Sequence, residues 1–177
     1  MTKRDPLLLV YEALKVAVRT AVEFDITVKA EYPNPAYFKA KTPAVGLLKI
    51  GGTATDRVTP GDVHVTLPAN PDGSIIVAGE FRRYSYLVQL SVFTKDKRQR
   101  SELGQATEEY LQQNRYLSLP GDQFGDSTLV LVQGPPTDSV GETGFYQRDY
   151  TLKCTGRMLI AEDFPIVEDI VVISEIQ

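Results

Sequence analysis

The sequence predicts an α+β fold: an antiparallel-rich sheet with two helices packed on it, plus a turn-rich β excursion and a C-terminal extended segment. Two segments repeat apolar residues at three- and four-residue steps, as one buried helix face requires. Two others alternate apolar and polar residues over more than ten positions, as a half-buried strand requires. The order helix, several strands, long strand, helix, strand, long strand needs no parallel core of alternating strands and helices.

Composition bounds the rest. The 177 residues carry 19 Lys+Arg against 23 Asp+Glu, a net charge of −4, with 42% hydrophobic and 24% charged residues. A chain of this size buries roughly 70% of its unfolded surface and is read as one domain, 1–177. Mild acidity argues against a free-standing nucleic-acid binder. One cysteine, Cys154, and one histidine, His64, cannot build a disulfide or a four-ligand zinc site within one chain. No stretch approaches the ~18 apolar residues of a membrane span, and the N-terminus lacks a signal-peptide core, so a reducing, aqueous compartment is expected.

Asp5 stands at an N-cap position and Pro6 at the first helical position, where its missing N–H costs nothing. Leu7, Val10, Tyr11, Leu14, Val18, Ala21 and Val22 then form one apolar stripe, a helix that covers a sheet. From 26 to 79 prolines and glycines punctuate short extended pieces. Candidate strands are 26–29, 44–50, 63–67 and a weak 74–78, with 51–79 read as a protruding hairpin or long loop.

Residues 81–94 form the strongest strand, with Tyr84, Tyr86, Val88, Leu90 and Val92 on its core face and Arg83, Ser85, Leu87, Gln89, Ser91 and Phe93 opposite. A charged turn leads to a second helix over about 98–115, striped by Leu103, Ala106, Thr107, Tyr110 and Leu111. Residues 127–133 and 145–160 are the last sheet strands. In the second, Tyr146, Tyr150, Leu152, Cys154, Met158 and Ile160 share the core face, and Gln147, Asp149, Thr151, Lys153, Thr155 and Arg157 the other. The extension 161–177 contains the apolar run Ile170, Val171, Val172, Ile173 and then Ile176. It is a terminal strand or tail that pairs either within its own sheet or with a neighbour's edge.

Catalytic constellations are missing from the pattern. His64 lies between valines with no second histidine, no serine sits in a G-x-S-x-G elbow, and no phosphate-binding glycine motif occurs. Cys154 suits a small buried hydrophobe. Tyr84, Tyr86, Tyr146, Tyr150 and Arg148 could instead line a pocket of a small ligand-binding domain, and a monomeric adaptor that orders on its partner is a further alternative. Lys95, Lys97, Arg98 and Arg100 form a basic corner around Asp96. Charge is also unevenly spread: residues 1–100 hold 15 Lys+Arg and 10 Asp+Glu, whereas 101–177 hold 4 and 13. Halves of +5 and −9 suit packing between copies.

The segments 83–94 (RYSYLVQLSVFT), 101–111 (SELGQATEEYL), 128–132 (TLVLV) and 146–154 (YQRDYTLKC) together resemble tail-terminator proteins of long-tailed bacteriophages. So does the leading amphipathic helix followed by the proline-rich 32–36 (YPNPA) and 42–45 (TPAV). The similarity spans about two-thirds of the chain; 51–79 and the extension after 160 exceed a minimal family member. The resemblance implies a non-enzymatic virion protein without cofactor or metal, assembled in the bacterial cytoplasm. It implies a hexameric ring of copies that caps the tail tube at the neck. The tail tube protein, a neck or head-completion protein and a sheath protein are the implied partners, and DNA passes through the ring without sequence-specific binding. Another neck, head-completion or baseplate role remains the alternative within the same virion. From the residues themselves, the expected contacts are Lys95, Lys97, Arg98 and Arg100, His64 on a protruding loop, and Ile170, Val172, Ile173 and Ile176.

Overall fold

The computed structural model describes residues 5–22, 24–30, 43–56, 64–66, 75–120, 127–140 and 144–164. Local chemistry starts the first helix as the sequence predicts. The Asp5 carboxylate accepts the Leu7 N–H at 2.9 Å, and Pro6 opens α1 (Pro6–Ala21). Its stripe Val10, Leu14, Ala17 and Val18 is buried, while Leu8 and Val16 face outward.

Strands β1 (Thr27–Lys29), β2 (Ala44–Asp56), β3 (His64–Thr66) and β4 (Ile75–Thr94) follow. Then come α2 (Lys97–Gln113), β5 (Tyr116–Ser118), β6 (Ser127–Val132), β7 (Thr137–Val140) and β8 (Tyr146–Phe164). The sheet order is β1-β2-β4-β8-β6-β5, with β3 paired to β4 and β7 to β8. Only β1 and β2 pair in parallel; the other ladders described are antiparallel. This is the expected α+β arrangement of two helices on an antiparallel-rich sheet.

Three differences from the sequence reading have physical causes. Residues 51–56 do not leave the sheet: β2 continues through Gly51 and Gly52, because a bulge at Ile50 absorbs one residue of register and Gly52 takes φ +87°. The weak strand at 74–78 and the strong one at 81–94 are one 20-residue strand. A second bulge, between Glu80 and Arg82, carries it past Gly79. β5 places one apolar side chain, Leu117, in the core and β7 is exposed throughout, so pairing defines both, with Tyr116 opposite Leu129 and Thr137 opposite Asp149. The described residues of the excursion, 51–56, 64–66 and 75–79, therefore belong to the sheet, with β3 paired to β4 from His64 opposite Gly79, and β8 running alongside β4 to Phe164.

The core lies between the helices and one sheet face. Leu14, Leu47, Val88, Leu90, Leu103 and Leu152 are fully buried there. Tyr84 and Tyr86 stack in it with ring centroids 5.5 Å apart. The Tyr11 hydroxyl ties α1 to the sheet by accepting the Lys49 N–H at 2.7 Å. Ala44, Phe93 and Phe145 make a second small cluster at the Thr94 end of β4.

Two outcomes test this packing. At Gly52 an added Cβ would stand 2.0 Å from the Ser85 carbonyl oxygen, so Gly52→Ala is expected to cost about 2–4 kcal/mol in urea unfolding. At Gly134, which is also left-handed but open on all sides, the same change should cost only about 1 kcal/mol. Burial pushes the Cys154 thiol up to about 12, so alkylation at pH 8 should proceed only as fast as the protein unfolds. Rapid labelling of the folded chain would contradict the buried placement.

Candidate interface on the open sheet face and the basic corner

Strand alternation sends every second side chain of β2, β4, β6 and β8 away from the helices. Register then assembles those side chains into rows. Thr53, Ser85, Thr155, Leu129 and Tyr116 stand opposite one another across five strands, from β2 through β4, β8 and β6 to β5. On one side of this row Gly51, Leu87, Lys153 and Leu131 form the next; on the other lie Thr55, Arg83 and Arg157. The sheet curls around the first and third rows to leave a groove of about 730 Å³. Tyr116 is 71% exposed at one end, and Leu87 is exposed in the neighbouring row on β4.

The groove is lined mainly by hydroxyl side chains, Thr53, Thr55, Ser85, Ser127 and Thr155, together with Leu129, Tyr84 and Tyr116, and by Arg83 and Arg157 on one flank. Arg83 and Arg157 sit directly opposite each other on neighbouring strands. Lys153 adds a third cation one row beyond Thr155. No carboxylate lines the groove among the described residues. Sequence reading places Arg83 and Arg157 correctly on the polar faces of their strands, but only the register brings them together.

The basic corner divides. Lys95, Lys97 and Arg98 are exposed at the turn from β4 into α2. Asp96 caps the helix by accepting the Gln99 N–H at 2.8 Å, and Arg98 reaches Glu102 one turn on at 2.7 Å. Arg100 departs from the expectation of a contact residue: it is 4% exposed. The first turn of α2 points it inward, where one of its terminal nitrogens meets Asp138 Oδ2 at 2.8 Å and its guanidinium lies over the Tyr146 ring.

Asp138 accepts from Arg148 as well, at 2.6 Å from Nε and 2.9 Å from a terminal nitrogen. One carboxylate thus holds two guanidinium groups and pins β7 and β8 to the start of α2. The Arg148 hydrogen bonds hold the Asp138 carboxyl below the usual carboxylate range, with Arg100 and Lys97 acting in the same direction. Arg148 shifts upward through the same contact.

The tyrosine set expected as an alternative pocket divides: Tyr84 and Tyr86 stack in the core, with Tyr84 also reaching the groove lining, whereas Tyr150 is buried beside Arg148, which Asp138 binds, and Tyr146 lies under Arg100 in the same corner. His64 begins β3 opposite Gly79. Ile170, Val172, Ile173 and Ile176 lie outside the described residues. Among the described residues no cluster of His, Cys, Asp and Glu could hold a metal ion, and no helix is long and apolar enough to cross a membrane.

No protein-family profile and no curated protein matches the chain. Among solved structures it is similar to a chain in "Virion of native gene transfer agent (GTA) particle", at 12% identity and a TM-score of 0.43. The match covers 86% of this chain and 94% of that one. At that score the likeness carries no argument about role.

The Asp138 contact makes a prediction with a defined sign. A depressed carboxylate pKa stabilises the fold above its unfolded value, about 3.9, and that contribution fades as pH falls through the lower folded value. The exchange protection of β7 amides, relative to their intrinsic rates, should therefore fall below about pH 4, ahead of the β4–β8 centre. Asp138→Ala, which leaves buried Arg100 without its counter-charge, should cost about 1–3 kcal/mol, less than a fully buried pair because solvent reaches the carboxylate.

Proposed function

We propose that the chain is a structural protein of a bacteriophage-type virion neck. In this reading it is a tail terminator whose copies form a hexameric ring that caps the tail tube and joins it to the head connector. The class comes from the resemblance of 83–94, 101–111, 128–132 and 146–154 to tail terminators. The observation that carries it into the structure is the one-sided sheet. At about 3.3 Å per residue β4 extends roughly 66 Å, whereas α1 and α2 at about 1.5 Å per residue reach only about 24–26 Å. Beneath them Tyr84, Tyr86, Val88, Leu90 and Val92 are buried. The second face along the groove, where Arg83, Ser85 and Leu87 are exposed, is surface that ring neighbours would cover.

Function then follows from shape. A ring that offers the last tube ring one matching face and turns a different face outward stops polymerisation and receives the head side. Lys95, Lys97 and Arg98 are the polar contact surface toward the tube, neck or sheath protein. No catalytic step, cofactor or metal is involved, and DNA passes through the lumen without specific contacts. The protein assembles in the bacterial cytoplasm and resides in the virion.

Purified tail tubes supplied with free tube subunits should stop elongating when the protein is added, and it should co-sediment with tube ends. Unchanged elongation without co-sedimentation would overturn the reading. Reversing Lys95, Lys97 and Arg98 to Glu together should weaken tube-end binding roughly tenfold and reduce its salt dependence. If binding is unchanged, the corner loses its assignment while the ring does not.

A further inference from the structure

We infer that copies join edge to edge, with β7 of one copy pairing antiparallel to β1 of the next, an inference that rests on the ring reading. Register and strand direction carry it. At one height Val28, Val45, Val92, Arg148 and Asp138 form a single row from β1 through β2, β4 and β8 to β7. Thr27 and Ser139 end the row beside it. β1 and β7 are therefore the terminal strands of the sheet at that height. β1 runs with β2, and each further step, from β2 to β4, β4 to β8 and β8 to β7, reverses direction. The two terminal strands consequently run in opposite senses. A copy rotated about an axis along the strands brings its β1 antiparallel to β7, a head-to-tail contact that repeats until the ring closes.

The outlines of the two edges also fit each other. Beyond β8 the sheet ends with β7 at the height of β1, but with β6 and then β5 at the height of Thr53, so β5 stands one strand further out. On the opposite edge the step is reversed. There β1 flanks β2 only at 44–46, and among the described residues no strand flanks β2 on that side at Thr53. Seated against β7, β1 of the next copy falls in line with β5, and β5 meets the edge of β2.

Exposed apolar side chains stand along both edges: Val140 on β7 and Tyr116 on β5 at one, Ile50 on β2 at the other. β7 carries no lysine or proline to discourage pairing, and its one charge, Asp138, is turned onto Arg100 and Arg148. A slip of one residue would turn Val28 to the opposite face. Asp138 opposite Val28, with Ser139 opposite Thr27, keeps the helix-covered faces on one side and sets all of β1 against β7.

Disulfide trapping between unlike copies tests this, and buried Cys154 gives a silent background. Thr27→Cys in one preparation and Ser139→Cys in a second are mixed, assembled with and without tail tubes, and oxidised. Within one chain the two positions lie four strand spacings, about 19 Å, apart, whereas facing residues of an antiparallel pair lie about 4.5–5.5 Å apart, within disulfide range. A disulfide joining position 27 of one copy to position 139 of the other is expected. Its yield should exceed at least tenfold that of Thr27→Cys with Val140→Cys, whose side chains face opposite ways.

Equal trapping of Ser139→Cys with itself, as a two-fold β7–β7 contact would give, overturns the proposal. Light scattering and negative-stain images of the same samples separate it from the ring reading. A ring that forms without the 27–139 link overturns the edge pairing and leaves the ring standing. Linked copies that never close keep the edge pairing and overturn the ring. Monomers with and without tail tubes, and no link, overturn both.

Discussion

The structure depends on a mismatch of lengths. Helices of 16 and 17 residues lie against strands of 19 and 20, and a helical residue advances less than half as far as an extended one. Two helices therefore seal one face of the central sheet and cannot reach its far end. The core runs under the helices across Val28 of β1, Leu47 of β2, Tyr84 to Val92 of β4, Leu152 and Cys154 of β8, Val130 of β6 and Leu117 of β5. The strands continue past it, and bulges at Ile50 and near Phe81 let two of them pass the glycines without breaking register for good.

That geometry separates stability from interaction. Fully buried Leu90, Leu152 and their neighbours belong to the face under the helices. The second face mixes leucines, small hydroxyl side chains and cations, a composition that tolerates water and can also take a protein surface. Asp138 links the two: by binding Arg100 of α2 and Arg148 of β8 it fixes the corner where Lys95, Lys97 and Arg98 are displayed, without spending any of those three exposed charges.

Much of this was legible in the sequence because periodicity reports burial. The stripes of both helices and the alternation of 84–92 and 150–158 followed directly, and the α+β class followed from their order. Pairing was not legible. Tyr116–Ser118 offers only Leu117 to the core and Thr137–Val140 is exposed throughout, too little apolar pattern to mark either as a strand. Nothing local shows that Arg83 stands opposite Arg157, because register is a property of two segments. Arg100 looked like its three basic neighbours because they are adjacent in sequence. Its burial depends on helical phase and on Asp138, thirty-eight residues away.

The central claim is that the open sheet face is the working surface and the helical face is not. Hydroxyl-radical footprinting of the free and assembled protein tests it most directly. The account predicts that Leu87, Leu129, Leu131 and Tyr116 become protected on assembly while Leu8 and Val16 on α1 keep their reactivity. Protection of Leu8 and Val16 with Tyr116 and Leu87 unchanged would contradict it.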